Sequence, residues 1–307
     1  MTRHPMFGLV LALFGALTIT PDTLFMRWSE MSGAQMLVWR GLLMGGVFVA
    51  AWMVVSHRTR KADIRGFFSG EGLAVVLCQF VSTSLFSLGV AMAPVSVVLF
   101  GVASVPVFSA VFGFLLLGDG VHWSTWLAIV AVITGIGIAV FGGGPSAVGG
   151  AGSVLLGAVS GLGVAISLAL TFVSIRRNPE APILLTVGVG ALLSGVAALF
   201  IIGPAAALQG NIGFIAITGI VILPVSFFSL SLASRHTLTA NVSLVMLMET
   251  VLGPLWVWLG TGERPTSGML MGGVIVVGSL ALYLGYSAYG EIWRRRETPV
   301  VVPVARQ

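Results

Sequence analysis

The chain has 307 residues, of which 57% are hydrophobic and 8% charged, with 41 glycines and a formal net charge of +5. A charged share so far below the roughly 25% of soluble domains leaves no surface for a water-soluble fold, so an all-α polytopic membrane protein with no soluble catalytic domain is expected. In such a chain the basic excess is read by location, and no nucleic-acid partner is expected.

A spanning helix needs about 20 apolar residues. Ten runs qualify: 6–26, 34–55, 72–93, 95–117, 123–143, 152–175, 183–202, 212–233, 238–260 and 266–289. The first follows Arg3 and His4 but has no small-residue cleavage pattern, so it is read as a spanning helix. Only Pro94 separates the third and fourth runs, and a tight turn there is expected because proline breaks the hydrogen-bond ladder. Cys78 has no partner, so there is no disulfide framework.

With ten spans, loops on the side of the N-terminus hold all of the 15 basic residues except Arg27, Arg40 and Arg264. That asymmetry predicts both termini in the cytoplasm. The segment 56–70 mixes Arg58, Arg60, Lys61 and Arg65 with Ile64, Phe67 and Phe68, the composition of a stretch lying on anionic headgroups. The tail 291–307 is expected to be disordered and cytoplasmic.

Sliding the sequence by 144 residues sets Gly118-Asp119 on Gly262-Glu263, Ser82 on Ser226 and Ser87 on Ser231. A shift of 146 sets Gly15 on Gly161. The expected organisation is therefore a first five-helix repeat over 1–145 and a second over 146–290. Because five is odd, the second repeat is inverted in the membrane, the recurrent design of secondary transporters that bind substrate near the midplane.

Ten helices in two halves, with the fourth of each running through leucines into Gly-Asp or Gly-Glu before a glycine-rich fifth, resemble the EamA branch of the drug/metabolite transporter superfamily. The pattern is similar to bacterial amino acid exporters, including aromatic amino acid exporters, and that resemblance implies a bacterial inner membrane as the location. The resemblance implies that helices 1, 3, 4, 6, 8 and 9 enclose a central cavity, with helices 5 and 10 outside it.

Polar side chains fall on single helical faces: Gln79, Ser82 and Phe86 on helix 3, and Ser160, Ser167 and Thr171 on helix 6. Such stripes face either neighbouring helices or a cavity; as a cavity wall they would bind substrate, joined by Phe228 and Met246. Gln79 offers both donors and acceptors to a zwitterion. Asp22 and Arg40, at similar depth in helices 1 and 2, invite an ion pair or a recognition site, and Pro21 would let helix 1 bend as a gate.

Glu249 is the mid-membrane carboxylate, where a charge costs roughly 2.5 to 3.5 kcal/mol on insertion scales. No basic residue lies at its depth by residue count, which favours a protonated, hydrogen-bonded acid: a proton-coupling site, or a structural acid tying helix 9 to a neighbour. Glycines four apart, Gly41 with Gly45, Gly157 with Gly161 and Gly268 with Gly272, predict close helix contacts.

The chain has one lysine and no P-loop, HExxH, GxSxG or Cys/His metal cluster, so neither an enzyme, a cofactor nor a metal is expected. The expected function is a secondary active transporter working by alternating access, with a small metabolite, amino acids first, as substrate, and protons as candidate partners. Export as the direction comes from the resemblance. A passive facilitator or a multidrug exporter without proton coupling is the alternative, and an intramembrane hydrolase a remote one. Ten helices can enclose a cavity alone, so a monomer or weak homo-oligomer is expected.

Overall fold

A computed structural model describes residues 5–92, 95–120, 123–141 and 151–262, with positions 271, 274, 275, 278, 279 and 282. The rest of helix 10, the turn expected at Pro94, Glu263, Arg264, Gly268 with its partner Gly272, and the tail lie outside the described residues. Among the described residues the chain is helical throughout, without strands, and seven helices are long and apolar enough to cross a membrane.

Four of the expected spans are interrupted. Helix 1 divides into α1 (Pro5–Ile19) and α2 (Asp22–Ser29). Pro21 has no amide hydrogen, so the Leu17 carbonyl four residues earlier loses its helical partner. The Thr20 hydroxyl takes that place, donating to Leu17 O at 2.9 Å. Next come α3 (Gly33–Val55), opened by a Ser32–Gln35 capping box, the short amphipathic α4 (Arg60–Phe67), and α5 (Gly70–Met92).

Helix 4 divides into α6 (Val95–Val102) and α7 (Val105–Leu117), with Pro106 in the first turn of the second piece. After α8 (Trp123–Phe141) and α9 (Ala151–Arg177), α10 (Ile183–Ala207) kinks at Gly203 before Pro204. Helix 8 runs from α11 (Ile212–Ile217) through a π-helical turn, Thr218–Ile222, into α12 (Leu223–His236), whose second residue is Pro224. Helix 9 divides at Leu247 into α13 (Thr239–Met246) and α14 (Met248–Thr261).

Small residues set the helix spacing. A Cβ on Gly41 would meet Gly195 N at 2.6 Å and Gly195 Cα at 2.7 Å, so α3 and α10 touch backbone to backbone. A Cβ on Gly161 of α9 would meet Val98 O of α6 at 2.3 Å. Without a hydrophobic drive between helices in lipid, this close dispersion contact is a main source of cohesion. The principal apolar cluster joins Ala16 of α1, Val105 of α7, Phe172 of α9, Leu230 of α12 and Val245 of α13. Inside this framework lies the cavity described next.

Candidate functional site

The cavity holds about 750 Å³ of empty space, open mouth and adjoining solvent included. Each interrupted helix brings part of its wall: Ile19 from the end of α1, Leu99 and Val102 from α6, Leu223 and Phe227 from α12, and Met246, Leu247, Glu249 and Thr250 from the break in helix 9. Unbroken helices supply the rest: Arg40 and Met44 from α3, Val164 and Leu168 from α9, and Gln79, Ser82, Thr83, Phe86 and Ser87 from α5. The wall is thus mostly apolar, with two ionisable side chains, Arg40 and Glu249.

These two are 6% and 9% exposed. Behind Arg40 stands Asp22, 1% exposed, whose Oδ2 lies 2.7 Å from Arg40 Nη1. The ion pair leaves capacity unused: Asp22 Oδ1 has no hydrogen-bond partner among the described residues. Glu249 lines the same cavity as Arg40. Residue counting along the chain had put no base at its depth; the structure corrects this, because α3 carries Arg40 to the same cavity wall. Glu249 makes no hydrogen bond to a described residue, so the reading of it as an acid tying helix 9 to a neighbour finds no such bond.

Gln79 is 1% exposed; its Nε2 donates to Thr83 Oγ1 at 3.1 Å, and Thr83 Oγ1 donates to Gln79 O at 2.7 Å. Gln79 Oε1 has no hydrogen-bond partner among the described residues. At the helix 9 break the Thr250 hydroxyl donates to Leu247 O at 2.7 Å, completing a turn where the helical ladder is interrupted. The break therefore holds Glu249 in the first turn of α14.

Of the residues that the sequence singled out, Gln79, Ser82, Phe86, Met246, Glu249 and Arg40 line this one cavity, and Asp22 pairs with Arg40. Pro21 lies at the helix 1 break, next to the cavity residue Ile19. The helix 6 stripe is not in the lining. Ser160 is buried against Gly89 of α5 and donates to Gly157 O, while Thr171 donates to Ser167 O, so these hydroxyls spend their hydrogen on their own helix. Ser167 is buried as well. Val164 and Leu168 form the cavity face of α9 instead. Phe228 is 37% exposed and outside the lining, where its neighbour Phe227 stands. Thr83, Ser87 and Thr250 were missed; Thr83 and Ser87 extend the same α5 face at helical spacing, a signal that was available.

One end of the cavity is sealed. Beyond Val102 and Met246, the cluster of Val105, Phe172, Val242 and Val245 fills the bundle. Past it the Arg176 guanidinium of α9 pairs with Asp119, just after α7, and Thr239 donates to Ser109 O at 3.2 Å. A small void of about 220 Å³ lies there, lined by Ser109, Gly113, Asp119 and Thr239. Among the described residues no group of three or more His, Cys, Asp or Glu could hold a metal.

Residues 6–141 match the EamA-like transporter family. A solved protein structure shares the fold with a TM-score of 0.72 at 13% identity, covering 90% of this chain and 96% of the other. No curated protein matches. The family match covers less than half of the chain, so its first half is similar to the EamA-like transporter family, and the described helices are of the long apolar kind that can cross a membrane.

Proposed function

We propose that the chain is a secondary active transporter of small metabolites, amino acids first, working by alternating access of two inverted five-helix halves around the cavity. The observation that carries this reading is the cavity itself: an apolar wall holding a few convergent polar groups, built where helices 1, 4, 8 and 9 are broken. Interrupted helices around a midplane site are the recurrent arrangement of such transporters.

Two features support the repeat in the register of 144 residues. The break after Val102 falls at Ala103, and 144 residues on is Leu247, where helix 9 breaks. Gly118, capping α7 with φ 68°, corresponds to Gly262, capping α14 with φ 77°. The pairing of helices agrees: α1 packs on α12 and α5 on α9, the two contacts that a two-fold relation would exchange. On this reading both termini are cytoplasmic in a bacterial inner membrane, and the sealed end with Asp119 and Arg176 faces the cytoplasm. The cavity then belongs to a state closed inward, and transport requires the apolar cluster below it to part.

The test is flux in proteoliposomes across a panel of amino acids and amphipathic drugs, with and without a pH gradient, for the wild type and Glu249→Gln. Gradient-driven flux of amino acids that is lost in the variant is expected. Flux indifferent to the gradient would favour a facilitator, and an absence of flux for every panel member would overturn the transport reading.

A further inference from the structure

Helix α4 meets the rest of the protein along one face only. A Cβ on Gly66 would stand 3.1 Å from Cδ of Pro182, the residue ahead of α10. On the same side Asp63 accepts from Trp52 Nε1 at 2.8 Å and from Thr59 Oγ1 at 3.1 Å. The one carboxylate of the segment 56–70 is thus turned inward and spent on neutral donors. Arg60 is committed as well, its Nη2 donating to Met53 O at 2.8 Å in the last turn of α3. The outward face carries Lys61, Ile64, Arg65 and Phe68, at i, i+3, i+4 and i+7. All four are exposed, Ile64 by 46% and Phe68 by 68%, and neither Lys61 nor Arg65 has an ion-pair partner among the described residues. Val54 and Val55, which close α3 just before this segment, are 76% and 71% exposed, so the apolar surface of the span runs up to α4.

Cations and large apolar side chains sharing one free face, at the edge of a membrane span, match the boundary between headgroups and acyl chains. We propose that α4 is a binding site for an anionic phospholipid: Lys61 and Arg65 hold its phosphate, and Ile64 and Phe68 enter the acyl region beside it. An acidic soluble partner would match the cations and leave Phe68 bare to water. A second copy of this chain would cover Phe68 but set cation against cation. A zwitterionic headgroup brings its own cation to the phosphate and gains less from the same two residues. The site stands apart from the cavity and does not depend on the transport reading above.

The test exchanges the full chain into micelles holding equal phosphatidylglycerol and phosphatidylcholine with the same acyl chains, and reads the retained lipid by native mass spectrometry. One basic residue at an anionic surface supports about fivefold in binding, and two about thirtyfold. The double variant Lys61→Gln with Arg65→Gln is therefore expected to cut the preference for phosphatidylglycerol by about tenfold or more. The charge-keeping double variant Lys61→Arg with Arg65→Lys is expected to retain it. So is Arg177→Gln, which removes a cation already facing Glu71 at 3.6 Å. Ile64→Ser with Phe68→Ser is expected to weaken retention of both lipids and spare the preference. A preference unchanged by the loss of Lys61 and Arg65, or lowered equally by Arg177→Gln, would overturn the site. Displacement of the lipid by millimolar inorganic phosphate would overturn it too, since the cations would then serve a free anion. A dimer in the same spectra that the glutamine pair disperses would assign the face to a second copy and overturn it as well.

Discussion

Removing Asp22 tests how Arg40 is held. Arg40 is 6% exposed, its guanidinium lies 2.7 Å from Asp22, and it lines the cavity together with Glu249. A buried charge stripped of its partner costs about 3–5 kcal/mol. If Glu249 takes over part of the pairing, Asp22→Asn alone costs less, about 1–3 kcal/mol, and Glu249→Gln alone about 1 kcal/mol or less, because it removes an acid that has no hydrogen bond. The double variant strands Arg40 completely and reaches the full 3–5 kcal/mol. Two single effects and the double therefore fail to add, by about 1–2 kcal/mol, within the range found for residues sharing a partner. The assay is reversible unfolding in mixed micelles with increasing denaturing detergent, run on all four proteins. Additivity within about 0.5 kcal/mol would refute the shared guanidinium.

Gly41→Ala places a methyl 2.6–2.8 Å from backbone atoms of α10, which cannot swing aside, and is expected to cost about 1–3 kcal/mol in the same assay. Gly46→Ala, with nothing within 4 Å, serves as its control and is expected to be neutral or slightly stabilising. Asp119→Asn removes the ion pair with Arg176 at the sealed end, and with Ser109→Cys as reporter in a Cys78→Ser background, thiol labelling from that side is expected to rise, by up to about fivefold for a pair worth about 1 kcal/mol. Labelling unchanged by Asp119→Asn would mean that the apolar cluster alone keeps that end shut.

The spans were legible because lipid demands long apolar helices whatever their partners. The Asp22–Arg40 pair was legible for a related reason: opposite charges at one depth have few alternatives. Depth, however, was counted along straight helices. The breaks at Pro21 and Leu247 and the path of α3 bring Arg40 and Glu249 to one wall, and no periodicity encodes which helix stands opposite which. The α5 face was readable because Gln79 and Phe86 carry functional groups too large to be satisfied by their own backbone. The α9 stripe misled because a serine or threonine hydroxyl in a helix can bond the carbonyl three or four residues back, as Ser160 and Thr171 do, and then signals nothing about what it faces. Phe227 and Phe228 show the limit at single-residue scale: adjacent positions in a helix point about 100° apart, and hydrophobicity alone could not choose between them.

The hydroxyl of Thr20 has a second bond. Trp256, on the helix segment that begins beside Glu249, donates its indole N–H to Thr20 Oγ1 at 2.9 Å, while Thr20 itself donates to the carbonyl freed by Pro21. The bend of helix 1 and the far half of helix 9 are thereby latched through one oxygen. Swinging α14 outward must either drag the α1–α2 elbow along or break the indole bond, so the latch turns two separate elbows into one lever, and what happens at the carboxylate is felt at the proline.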